Sequence, residues 1–99
     1  MVKHIKTSED KDIPFCISYS AISLWSNETK LKMEELDENL DMQSLEPLFY
    51  YSLLAGYRQK REKCPYMDRK SDEYVMMLDD LFFVWLKTMP DFFQGLNKN

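Results

Sequence analysis

Residues 45–58 read Leu45-Glu46-Pro47-Leu48-Phe49-Tyr50-Tyr51-Ser52-Leu53-Leu54-Ala55-Gly56-Tyr57-Arg58. At about 100° per residue, Leu45, Phe49 and Leu53 share one face, Tyr50, Leu54 and Tyr57 lie beyond them, and Leu48, Tyr51 and Ala55 cover the other side. A helix that is apolar almost all round is central, covered on several faces. Ser52, Ala55 and Gly56 form a small-residue stripe along which one neighbouring backbone can approach closely. Ser44 is the expected N-cap, which puts Pro47 in the first turn, where a missing N–H is tolerated. Arg58, Lys60, Arg61 and Lys63 follow at the C-terminal end, where positive charge suits the helix dipole.

Two further helices flank this one. On the N-terminal side, Ser18 or Ser20 is expected to cap a helix running towards Leu36, with Ala21, Leu24, Trp25 and Leu31 recurring at helical spacing. Residues 1–13 are polar and without clear period, a flexible start with room for a short strand, and Phe15-Cys16-Ile17 is open between strand and helix. Acidic residues 37–41 form a connector. On the C-terminal side, Cys64-Pro65 ends the central helix and Ser71 caps a third, with Asp72 and Glu73 in its first turn and Pro90 ending it after Met89. Its apolar arc spans roughly 200° and includes Val75, Met77, Leu81, Phe82, Val84 and Trp85. Met76 and Phe83 sit apart, among the charges Asp79, Asp80 and Lys87. The first expectation for this pair is cover by the tail, since Phe92, Phe93 and Leu96 follow; a contact surface is the alternative. The fold class is therefore mainly all-α, a single three- to four-helix domain with a short N-terminal extended segment at most.

The rest of the composition narrows the classes. The chain has 99 residues, 44% hydrophobic and 30% charged, enough for one domain. Its longest apolar run, Leu81 to Leu86, is far too short to cross a bilayer. There is no apolar export segment near Met1, and two cysteines are too few for a disulfide framework, so the cytoplasm is the expected compartment. The net charge of −4 is strongly segregated, with a sum of −5 over residues 28–46, +4 over 58–70 and −4 over 72–91. A basic segment inside an acidic domain fits a helix terminus or an acidic neighbour better than nucleic acid, although binding of nucleic acid through 58–70 stays open.

No group has the company that catalysis needs. His4 is the only histidine and has no companion ligand at usable spacing, so no metal is expected. Cys16 and Cys64 have neither a CxxC arrangement nor a nearby His to make a thiolate. Gly56 and Gly95 cannot build a phosphate loop, and adjacent carboxylates such as Asp79-Asp80 diverge on a helix. No cofactor and no enzymatic activity are expected, leaving a binding protein.

From Ile13-Pro14-Phe15-Cys16-Ile17-Ser18-Tyr19-Ser20-Ala21-Ile22 onwards, the order of segments resembles the tail-assembly chaperones of long-tailed bacteriophages and prophages. The matching parts are an aromatic Ala-Leu helix, an acidic connector, the central helix ending Ala55-Gly56-Tyr57, and the Ser71-capped acidic helix to about Trp85. The chain departs from the pattern in having Glu28-Thr29-Lys30 where a Gly is usual, and in leaving hardly any room for the N-terminal hairpin some members carry. The resemblance implies a non-catalytic protein of the host cytoplasm that coats the tape-measure protein, keeps it soluble and helps recruit tail-tube subunits. It also implies a longer product made by ribosomal frameshifting.

The residues themselves add how such binding would work. Met76, Phe83, Phe92 and Phe93 are the expected apolar contact surface, and Arg58, Lys60, Arg61 and Lys63 are expected to face acids on a neighbouring copy or client. Complementary segments of this kind favour self-association into a homo-oligomer. The alternative is a small adaptor or inhibitor that binds a host or phage protein as a defined monomer or dimer.

Overall fold

The computed structural model describes residues 2–97, the side chains of Asp37 and residues 89–97 apart. The chain is a mainly helical small domain with a two-stranded antiparallel sheet. Strands β1 (Lys3–Lys6) and β2 (Asp12–Phe15) precede helix α1 (Tyr19–Thr29), a 3-10 segment (Met33–Glu38), α2 (Met42–Gln59) and α3 (Asp72–Asn97).

The start of the chain, read from its polarity as a flexible segment with room for a strand, is a hairpin. Ile5 pairs with Ile13 and both are buried, while Lys3, His4 and Lys6 pair with Phe15, Pro14 and Asp12. Thr7 organises the connection, its Oγ1 accepting from the amides of Glu9 and Lys11 at 3.2 and 3.1 Å. Four-residue strands are too brief to show a period, and here the turn chemistry carries the signal. Beyond β2 the backbone leaves the sheet. The Cys16 amide donates to the Ser52 carbonyl of α2 at 2.9 Å, and Ser18 caps α1 by accepting from the Ala21 amide.

Helix α1 stops well short of Leu36. Thr29 Oγ1 donates to the Trp25 carbonyl at 2.8 Å, Ser26 Oγ donates to the Leu31 carbonyl at 2.6 Å, and Lys30 turns left-handed at φ 64°. Hydroxyls that take backbone partners compete with the helix and close it. Helix α2 starts earlier than its sequence suggests, because Asp41, not Ser44, is the N-cap and accepts from the Ser44 amide at 3.3 Å. Pro47 is consequently inside the helix, and the Gln43 carbonyl that loses its amide partner belongs to an exposed residue open to water. Ser71 caps α3 as expected, accepting from the Tyr74 amide at 3.2 Å.

Helix α2 runs through the centre, as its nearly continuous apolar surface requires. Phe49 is fully buried and meets Phe15 of β2 and Tyr74, Phe82 and Trp85 of α3, with ring centroids 5.0–6.2 Å apart. Trp25 ties α1 to the start of α2 by donating from Nε1 to the Ser44 carbonyl at 2.8 Å. Along the small-residue stripe, β2 lies so close that a Cβ on Gly56 would stand 2.3 Å from the Pro14 oxygen.

Candidate functional site

Helix α3 is buried along one stripe only. Tyr74, Met77, Leu81, Phe82 and Trp85 enter the core, whereas Val75 and Val84, assigned to the apolar arc from sequence, are about half exposed. Opposite the buried stripe, Met76 is 71% exposed and Phe83 67% exposed. These two are seven positions apart, so at about 100° per residue they differ by only about 20° around the axis and stand roughly 10 Å apart along it. Phe83 leans edge-on against buried Phe82, centroids 5.5 Å apart, and keeps its other face open.

The expectation that a tail covers this pair is corrected by the backbone. α3 does not end at Met89 but continues through Pro90 to Asn97, because a proline removes one intrahelical bond without preventing the turns on either side of it. The final residues therefore extend along the axis away from Phe83 instead of turning back over it. Phe92 and Phe93 fall on these last turns, and their side chains lie outside the described residues.

Beside Met76 a cleft of about 520 Å³ opens between α3 and the hairpin turn. Glu9 and Lys11 line it from the turn, and Glu73, Asp79 and Asp80 from the helix. The turn is fastened in place by Ser8, whose amide and hydroxyl both donate to Asp80 Oδ2 at 3.0 Å. Four acids against one lysine leave the cleft at −3, flanking the apolar ridge.

The expected basic residues are exposed on the last turn of α2 and the turn that follows. Lys60 reaches Glu62 at 3.9 Å, while Arg58, Arg61 and Lys63 make no ion pair among the described residues. The amides of Lys60 and Glu62 satisfy the Gly56 and Tyr57 carbonyls, so these side chains are spare to the helix end they decorate.

Sequence reasoning missed Arg69. Its guanidinium grips Glu28 of α1 with two parallel bonds of 2.9 and 3.0 Å and bonds Glu46 of α2 through Nε at 3.2 Å and also through Nη2. It also lies 4.7 Å above the Tyr50 ring. Tyr51 donates to Glu28 at 2.7 Å and Tyr74 to Glu46 at 2.5 Å. The bonds from Arg69 hold the Glu28 carboxyl below its ordinary value, and in turn Glu28 and Glu46 push the guanidinium pKa up. Burial, then the bond to Glu46, raises the Tyr74 phenol. Nothing in the spacing 28, 46, 69 marks this clasp, because it joins three elements distant in sequence. It also withdraws Arg69 from the basic segment 58–70 and its nucleic-acid reading.

Chemistry elsewhere is sparse. Cys16 and Cys64 are buried, and burial pushes the Cys64 thiol up, away from the reactive thiolate. Among the described residues no group of His, Cys, Asp and Glu could hold a metal ion, and no helix is long and apolar enough to cross a membrane. Compared with family models, curated proteins and solved structures, the chain matches none.

Proposed function

We propose that this chain is a non-catalytic binding protein that associates through the outer face of α3 and shields an extended amphipathic client, as a phage tail-assembly chaperone shields the tape-measure protein. The observation carrying this reading is the Met76–Phe83 ridge, left exposed by a helix whose opposite stripe already fills the core. Flexible Met and a large aromatic suit adaptable contact with a repetitive helical partner. Moderate affinity per site is sufficient when many copies line one rod.

Two features support the resemblance where the sequence departs from it. A hairpin is present despite the short N-terminal segment. Lys30 takes the left-handed turn after α1, a conformation for which glycine is the usual choice.

The test is co-expression with a phage tape-measure protein, the long helical client that the resemblance implies. The client is expected to stay soluble and to be retained with this chain, and Phe83→Asp to abolish retention. A client equally soluble with and without the chain overturns the chaperone reading.

A further inference from the structure

The cleft and the basic turn are complementary in charge, and among the described residues no ion pair joins one to the other. The cleft carries Glu9, Glu73, Asp79 and Asp80 against Lys11, a sum of −3. The turn after α2 carries Arg58, Lys60, Arg61 and Lys63 against Glu62, a sum of +3. Among the described residues Lys60 pairs only with Glu62, two positions on, and the other three bases have no ion-pair partner. At physiological salt, charges interact over roughly 8 Å. The patches, not the net charge of −4, therefore govern how two copies meet.

We propose that the occupant of the hairpin–α3 cleft is the basic turn, residues 58–63, of a second copy of this chain. This deepens the self-association proposed above and rests on it. Arg and Lys stems lie along Met76 while their charged heads reach Glu73 and Asp79, the arrangement that long cationic side chains favour on apolar ground beside acids. Asp80 has a different task, since it fastens the turn through Ser8 and keeps the cleft in shape. The two patches are built from different residues, so two copies either exchange turn and cleft reciprocally in a closed pair or pass each on to a further copy and grow.

Charge exchange tests this directly. One variant combines Glu9→Lys, Glu73→Lys and Asp79→Lys, leaving Asp80 in place; the other combines Arg58→Glu, Arg61→Glu and Lys63→Glu. Each alone sets like charge against like and is expected to weaken association at least about tenfold by light scattering. An equimolar mixture restores both contacts with opposite charges and is expected to recover wild-type association. Circular dichroism verifies that each variant is folded, and salt titration of the wild type gives an independent readout, association falling as salt rises. Variants that associate as tightly as the wild type, a mixture no tighter than its components, or wild-type association indifferent to salt would each overturn the contact while self-association stands. A wild type that never associates overturns both.

Discussion

The Cα of Gly56 faces the carbonyl of Pro14 so closely that a methyl group there would sit 2.3 Å from the oxygen and 2.8 Å from the Phe15 nitrogen. The obstacle is backbone on both counts, so no side-chain rotation relieves it. Gly56→Ala gains about 1 kcal/mol of helix propensity yet is expected to lose about 2 kcal/mol net, as overpacking typically does. Urea denaturation measures the sign; a stabilised variant would mean that β2 does not rest on α2 here.

Lys30 supplies the opposite case. Its left-handed φ of 64° strains a residue with a Cβ. Lys30→Gly is expected to stabilise the fold by about 0.5–1 kcal/mol, read as a raised urea midpoint. A lowered midpoint would show that α1 does not end in this turn.

The Arg69 clasp makes a pH-dependent prediction. Glu28 is held below its ordinary 4.5, so its contribution is complete above that value and lost as pH falls through the lowered folded value. Arg69→Met is expected to lose about 1–3 kcal/mol at neutral pH. It should also flatten the acid limb of the stability curve, because Glu28 is then no longer depressed. An unchanged acid limb would remove Arg69 from the role.

The two tryptophans, both fully buried, separate packing from hydrogen bonding. Trp25 Nε1 has the Ser44 carbonyl, whereas Trp85 Nε1 meets no acceptor among the described residues. Each change to Phe removes similar volume, so Trp25→Phe is expected to destabilise more than Trp85→Phe, by about 1 kcal/mol. Equal losses would show that the Ser44 bond contributes nothing.

What the sequence revealed follows from the range of each interaction. The central helix, its small-residue stripe, the Ser18 and Ser71 caps and the Met76–Phe83 pair are local patterns, and they stand in the structure. The hairpin escaped notice because four-residue strands around Thr7 have no period to read. The end of α1 depended on where the hydroxyls of Ser26 and Thr29 pointed, and the continuation of α3 through Pro90 on how a helix tolerates one missing bond. Arg69 was invisible for a different reason: its partners are 23 and 41 residues away along the chain.

One folded copy leaves the α3 ridge uncovered, with Met76 and Phe83 open to another chain. The most direct measurement is the mass of the wild type and of Phe83→Asp, by light scattering from dilute to concentrated solution, beside their circular dichroism. The wild-type mass is expected to rise with concentration, while Phe83→Asp keeps the same helical signal and associates more weakly at every concentration. A wild type that is monomeric throughout, or a Phe83→Asp variant that loses its helical signal, would contradict this expectation.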